Sequence, residues 1–433
     1  MCSVRDAAAR LNEGDVEGAL AEAGALLTAN PGDFHAWHLT ARCMYAFNET
    51  ESAVSNLRSL ADGLSNSGQP IFALQVIKEL EKRGQEVTDL LDHLAVLYSA
   101  DSDRIEEMEM VPPPLFPTAV SPWDIGIGRT LLIEQAKTAM AEAWGALFAQ
   151  EGRTAKLPFM PILSNLNEEN FKLFAQALTL IESPPDQVIV AQGTDGDGFF
   201  IIVEGEVTVV RRDSEGEGTT LATLGPGAFF GEMALVSTAR RAAEVRTRET
   251  TMLLRASKRQ VEKLTARAPE IGRVLIAFCH ARMLENLIRI SPVLSPVPPA
   301  KRPALIGAFT TDYKRAGDLI AEEGRFGDGL YVIVSGEAAV TTQEDKETMM
   351  LATLGPGDII GEISLLMRKP STATVKATQN TALLFLSTDE FMAVTRDYPE
   401  FLKGAFDIAI KREKENTSIL ASSASAVDDL VLL

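Results

Sequence analysis

The sequence predicts an α+β multidomain chain in which N-terminal helical repeats precede two β-barrels, jelly-roll-like and flanked by helices. Three observations predict it. LATLGPGAFFGE at residues 221–232 returns as LATLGPGDIIGE at 351–362, so one domain occurs twice. The stretch before residue 100 is Ala/Leu-rich with helical spacing and repeats in phase every 34 residues. Between these parts lies the proline-rich run VPPPLFP at 111–117.

In the helical part, residues 1–100, Ala7, Ala19 and Pro31 recur as Ala41, Ala53 and Ser65, each 34 positions later. That period resembles the tetratricopeptide repeat, and Trp37 falls where the repeat prefers Trp. A third unit, residues 69–100, keeps only the helical pattern. The resemblance implies stacked helix pairs with a concave face suited to a protein partner. The alternative is a helical bundle that packs on the rest of the chain. Residues 101–128 are expected to form a linker, because Pro112 to Pro114 lack backbone donors and force extended geometry. Residues 129–151 then carry the period of an amphipathic helix, with Leu132, Ala136, Ala139, Ala143 and Leu147 near one face.

The β repeat extends beyond its glycine turns. Gly193, Asp197 and Gly205 match Gly324, Asp328 and Gly336 at an offset of 131, which drops to 130 at Gly225 and Gly355. A one-residue change between Arg212 and Thr220 fits a hairpin loop, since inside a strand it would turn every following side chain to the other face. FFIIVEGEVTVV and LYVIVSGEAAVT are β-branched and aromatic, as strands of a small antiparallel barrel or sandwich require. The first such domain is placed at 129–290 with its leading helix, the second at 291–415, and residues 416–433 are read as a flexible tail.

The repeated motifs carry chemistry. Phe230, Gly231 and Glu232 followed by apolar Met233, Ala234 and Leu235 suit a short helix entered from a glycine turn, whose first N–H groups face an anion. Gly231 lets a phosphate approach. Nine residues beyond Glu232, Arg241 offers a forked, permanent charge for phosphate oxygens, and Glu232 an acceptor for a ribose hydroxyl. Otherwise Arg241 is a surface arginine or pairs with Glu232 or Glu244, and Glu232 caps a turn. These motifs, twice in order across residues 155–415, resemble the cyclic-nucleotide-binding domains of cyclic-AMP-dependent protein kinase regulatory subunits and bacterial catabolite activators. The resemblance implies a ligand site at Gly231, Glu232, Met233, Ala234, Arg241, Ala242 and Ala243. Ala242 after Arg241 follows the cyclic-AMP pattern rather than the cyclic-GMP one, and a cyclic dinucleotide stays open. Helices flanking the barrel, here 129–151 and 269–290, relay occupancy in this family.

The second copy departs from the pattern. Its counterpart residues are Gly361, Glu362, Ser364, Ser371 and Thr372, with Ser371 in place of the arginine and Ser364 in place of Ala234. Losing a charge-assisted contact of about 1.5 to 3 kcal/mol weakens binding roughly ten- to a hundredfold or more, so this site is expected to be degenerate. The alternatives are that Arg368 or Lys369 swings in, or that another ligand is used.

Composition narrows the function. A formal charge of −19 from 41 basic and 60 acidic residues opposes nucleic-acid backbones. Only about twenty residues follow Lys411, too few for a helix-turn-helix domain. Cys2, Cys43 and Cys279 are too far apart in sequence for a disulfide framework or metal site, which points to a reducing, cytoplasmic setting. No apolar run suits a signal peptide or membrane span, and with four His no metal and no catalytic set is discerned. The expected function is a non-enzymatic cyclic-nucleotide receptor and adaptor, with no cofactor beyond its cyclic mononucleotide ligand and with a protein partner on the N-terminal repeats. The alternatives are an inhibitory regulatory subunit of a protein kinase, or a scaffold with unliganded barrels. Arg211-Arg212-Asp213-Ser214 has the form of a kinase inhibitor site, but it falls in a hairpin inside the first barrel.

Overall fold

The structure, a computed structural model, describes residues 3–106, 120–149, 156–212, 217–232, 240–241, 243–294, 296–298, 301, 305, 307–344 and 347–430. It opens with six helices, α1 Val4–Asn12, α2 Val16–Ala29, α3 Phe34–Ala46, α4 Thr50–Asn66, α5 Pro70–Lys82 and α6 Thr88–Tyr98. Local chemistry sets their ends. Ser3, Asp15 and Asp33 each accept a backbone N–H of the following first turn, and Gly14, Gly68 and Gly84 take positive φ where one helix gives way to the next. Ala7, Ala19, Ala41 and Ala53, the phased alanines, are fully buried, and Trp37 fills the core beside them. The N-terminal region is therefore helical and closely packed.

α7, Arg129–Ala149, lies against α2, α3 and α4 and buries Leu132, Ala136, Ala139, Met140 and Ala143. Leu147, expected on the same face, lies outside the described side chains, as do Pro112 to Pro114 outside the described residues. Just before α7, Trp123 packs so closely on α2 that a Cβ at Gly24 would stand 2.2 Å from its ring. A short parallel pair, β1 Ile105–Glu106 with β2 Leu157–Pro158, ties the two sides of the proline run together.

Each β domain consists of two four-stranded antiparallel sheets packed face to face. In the first, α8 Glu168–Ala177 precedes β3 Thr179–Ser183, β4 Val188–Val190, β5 Gly198–Glu204, β6 Val207–Arg212, β7 Gly218–Leu224, β8 Phe229–Phe230, β9 Glu244–Thr247 and β10 Thr251–Ser257. The sheet orders are β3-β10-β5-β8 and β4-β9-β6-β7. The second domain repeats them as β11-β18-β13-β16 and β12-β17-β14-β15, from β11 Thr310–Lys314, β12 Leu319–Ala321, β13 Gly329–Ser335, β14 Ala338–Glu344, β15 Glu347–Leu354, β16 Ile359–Ile360, β17 Thr374–Ala377 and β18 Thr381–Ser387. Among the described residues the sheets form an open sandwich, not the closed barrel expected from the sequence. The one-residue length change sits at the hairpin tip: cross-strand pairing keeps Val210 opposite Thr220 and Thr341 opposite Met350, each just past a bulge.

Side chains of β5 alternate between two cores, as a pleated strand dictates. Phe200 and Ile202 point inward to Val207, Phe230, Val245 and Leu253 between the sheets. Phe199 and Ile201 point outward into a hydrophobic cluster that runs without a break through Phe229, Leu254, Phe171, α7 and the N-terminal helices to Ala7. Polar contacts seal this junction: Arg5 with Glu249 at 2.8 Å, Lys78 Nζ donating to the Gln176 carbonyl at 2.9 Å, and Lys172 with Asp92 at 2.8 Å. The helical region and first β domain share one core. The second domain has its own outer cluster, where Leu330, Val332, Ile359 and Leu384 meet Phe391 and Phe401 of α12 Thr388–Asp397 and α13 Pro399–Leu430. Between the two domains run α9 Lys258–Arg267 and α10 Pro269–Ile290, and α11 Glu362–Met367 follows β16. No described helix is long and apolar enough to cross a membrane.

Candidate functional site

The first site is built where β8 ends. Gly231 takes φ +82°, a left-handed conformation, and a Cβ there would stand 2.8 Å from Arg241 Nη1 and 3.1 Å from the Gly198 carbonyl. The glycine thus turns its carbonyl toward the arginine. Arg241, only 9% exposed, is fixed from both ends. Its backbone N donates to the Thr194 carbonyl and its carbonyl accepts from Gly193 N, each at 2.8 Å. Its Nη1 donates to the Gly231 carbonyl at 2.8 Å, and its Nη2 to the Gly198 carbonyl at 2.7 Å and Asp197 Oδ1 at 3.3 Å. Arg241 is paired with Asp197, not with Glu232 or Glu244 as the sequence alternatives had it. Burial pulls its pKa below the usual guanidinium value, and Asp197 partly restores it.

Asp197 also binds Arg255 of β10. Glu232 is buried, and burial raises its carboxyl pKa against the opposing fields of Arg282 and Arg241. Its carbonyl accepts a hydrogen bond from Cys279 Sγ of α10 at 3.4 Å, so the turn touches the helix that leaves this domain. Ala243 is half-buried just before β9, while Met233, Ala234 and Ala242 lie outside the described residues.

The second site keeps this backbone and changes the side chains. Gly361 takes φ +94°. Ser371 N donates to the Arg325 carbonyl at 2.7 Å and Gly324 N to the Ser371 carbonyl at 2.9 Å, the same bridge that holds Arg241. Ser364 Oγ donates to the Lys369 carbonyl at 2.7 Å and accepts from Gly327 N at 3.3 Å, fastening the turn. Lys369 pairs with Glu413, and Arg368 sits in the left-handed region at the end of α11; neither lines the cavity. That cavity, of about 480 Å³, is lined by Gly361, Glu362, Ser364, Ser371 and Thr372, which the sequence singled out, and by Asp358, Arg412 and Glu415, which it did not.

Arg412, from α13, donates through Nη1 to Glu362 Oε1 at 2.9 Å and the Ile359 carbonyl at 2.5 Å, and through Nη2 to Asp358 Oδ1 at 3.2 Å. Burial raises the Glu362 carboxyl pKa and Arg412 opposes it. The Glu362 carboxylate serves Arg412 and also draws on its own backbone N–H at the start of α11. A sequence signal for Arg412 existed. Arg282 and Arg412 stand at the 130-residue offset of the repeat, in the shared pattern R-x-x-E-N. Among the described residues no cluster of three or more His, Cys, Asp or Glu is disposed to hold a metal.

Residues 180–268 and 312–398 each match the cyclic nucleotide-binding domain family. The chain carries two such domains in tandem. It is similar to the cAMP-dependent protein kinase regulatory subunits of Yarrowia lipolytica, 31% identical over 56% of this chain and 60% of that protein, and of Emericella nidulans, 33% identical over 53% and 56%. The type II regulatory subunit of Drosophila melanogaster is 28% identical over 57% of this chain and 62% of that protein. The matches thus span less than two thirds of these relatives' lengths. The solved regulatory domain of Toxoplasma gondii PKA with cAMP is 21% identical over 59% of this chain and 92% of that chain, with a TM-score of 0.28, too loose a fit to bear on the site.

Proposed function

We propose that the protein is a cyclic-nucleotide receptor and adaptor, with a cyclic mononucleotide, cyclic AMP in preference to cyclic GMP, seated in the first domain. The observation that carries this reading is the buried Arg241 guanidinium, held rigid by two carbonyls and Asp197. Three of the five guanidinium N–H groups are spent on that scaffold, which leaves two for phosphate oxygens in a fixed, charge-assisted geometry. Glu232 receives the ribose hydroxyl, Gly231 admits the phosphate, and Met233, Ala234, Ala242 and Ala243 complete the wall. The names of the curated relatives, cAMP-dependent protein kinase regulatory subunits, favour the same ligand.

Occupancy has a route out of the site. Glu232 contacts Cys279 on α10, whose Ile271 and Leu275 belong to the core shared with α7, α8 and the tetratricopeptide-like N-terminal helices. A ligand that draws on the charge of Arg241 and Glu232 therefore biases how α10 packs, and with it the helical region that docks a protein partner in the cytoplasm. We assign residues 1–100 to docking, 101–128 to the connection, 129–290 to sensing, 291–415 to the second domain and 416–433 to a tail, which up to Leu430 continues the helix α13 rather than the flexible segment expected from its Ser/Ala composition.

The relatives' names also favour a second reading, a kinase regulatory subunit. In this chain Arg212 is locked into β6 by a reciprocal pair with Gln192, N to Oε1 at 2.7 Å and Nε2 to carbonyl at 2.9 Å, while Asp213 and Ser214 lie outside the described residues. Calorimetric titration with cyclic AMP, cyclic GMP and a cyclic dinucleotide tests the leading reading: one cyclic AMP per chain, bound tightest, is expected. No heat with any of them would leave a scaffold with unliganded domains. Inhibition of a cyclic-AMP-dependent kinase catalytic subunit by the purified chain, relieved by cyclic AMP, would establish the second reading instead.

A further inference from the structure

We propose that the cavity of the second domain takes an uncharged ribose-bearing ligand, a nucleoside, rather than a cyclic nucleotide. Charge decides the class. Among the described residues, Asp358, Glu362 and Glu415 line the cavity against one cation, Arg412. Arg412 spends three of its five N–H groups, two of them on the carboxylates of Glu362 and Asp358 and one on the Ile359 carbonyl, so it is the two carboxylates that match its charge inside the protein. The exposed Lys411, 3.8 Å from Glu415, offsets one carboxylate in part, and the lining still stays negative. Protonating Glu362 does not reverse the sign either. A phosphodiester entering here would meet like charge with no fresh cation, since Ser371 occupies the backbone position from which Arg241 reaches out in the first domain.

What remains suits the rest of a nucleoside. Glu362 is buried in the lining, where Arg412 engages its Oε1 and its own backbone N–H contributes, and a carboxylate with about four lone-pair sites keeps capacity to accept from a ribose diol. Ser371 and Thr372 line the cavity, and their hydroxyls can hydrogen-bond a neutral 5′-hydroxyl. Val340, Leu354, Ile360 and Val375 supply an apolar cradle for a planar base. The inference is independent of what the first domain binds.

The test is calorimetry on the full chain with adenosine and guanosine, in the wild type with and without saturating cyclic AMP, and in Arg241→Ala. One nucleoside per chain is expected in all three, with unchanged affinity. Glu362→Gln should weaken it about tenfold or more, as loss of a charge-assisted acceptor does. Ala352→Trp, on the exposed rim of the cavity, should block it at an unchanged melting temperature. Absence of nucleoside binding would overturn the proposal. So would displacement of the nucleoside by cyclic AMP, its loss in Arg241→Ala, or indifference to both cavity variants. Failure of cyclic AMP to bind at all would count against the first-domain reading alone.

Discussion

At the end of β8 the first domain gathers Arg241, Arg255 and Arg282 around Asp197 and Glu232, whereas at the end of β16 the described residues of the second set Arg412, with Lys411 at the edge, against Asp358, Glu362 and Glu415. The backbone beneath is the same: left-handed glycines at 231 and 361, and the same two hydrogen bonds bridging residue 241 or 371 to the preceding turn. At the position of Arg255 the second copy has Phe385, its ring tilted against that of Tyr331 at 4.8 Å between centroids, and the Tyr331 hydroxyl donates to Asp328 where the first copy uses arginines. Strand register and glycine turns preserve the fold, and a few side chains reset the charge of the pocket. Architecture and ligand chemistry are thus encoded separately.

The domains differ as well in what covers their outer sheets. In the first, Phe171 of α8 stands fully buried in the cluster shared with the N-terminal helices; in the second, Phe401 of α13 is equally buried in a cluster of its own. Truncating either should cost about 3 to 5 kcal/mol. In scanning calorimetry, Phe171→Ala should lower the transition of the helical region and first domain together, while Phe401→Ala lowers only that of the second. If Phe171→Ala left the helical region melting where it does in the wild type, the shared core would not be a cooperative unit.

The next contrast is in binding. Removing one member of a buried charge pair costs about 2 to 5 kcal/mol, so Arg241→Ala should weaken cyclic AMP by at least about thirtyfold. Arg241→Lys should recover part of that, because a point charge lacks the fork that reaches two carbonyls and a carboxylate at once. Ser371→Ala, the same position in the other copy, should change neither affinity nor stoichiometry for cyclic AMP. Unchanged affinity in Arg241→Ala, or a stoichiometry falling from two to one in Ser371→Ala, would reverse the assignment of the two sites.

How much of this was legible in the sequence depended on distance along the chain. The repeat, the hairpin that absorbed the length change and the exchange of arginine for serine all lie within short windows, where period and offset are readable. Arg412 enters the second cavity from a helix 50 residues beyond Glu362, and no local pattern reports that approach. Only the internal repeat, which sets Arg412 against Arg282, carried a hint. Sheet closure was misjudged because strand patterning reports which face is buried, not whether the edge strands meet. The packing of the helical region on β5 was equally hidden: the outward Phe199 and Ile201 and the inward Phe200 and Ile202 read as one apolar run.

The smallest expected effect separates the two glutamates by pH. Burial raises the Glu232 carboxyl above its ordinary pKa of 4.5, with Arg282 and Arg241 opposing from nearby. The folded chain therefore holds this proton to higher pH than the unfolded chain does. The resulting stability is fully present below the ordinary value and is lost as pH rises through the folded one, beyond which the fold carries a buried charge. Glutamine does not titrate, so the melting temperature of Glu232→Gln relative to wild type should climb as pH rises above the ordinary value of 4.5, measured without ligand. Glu362 is raised by burial too, yet it accepts directly from Arg412, and Glu362→Gln strips that guanidinium of a charged partner. Its gain with pH should be smaller than that of Glu232→Gln, or turn into a loss. Equal gains in the two variants would mean that Arg412 stabilises Glu362 no more than Arg282 stabilises Glu232, and the charge contrast between the domains would then rest on Arg241 and Arg255 alone.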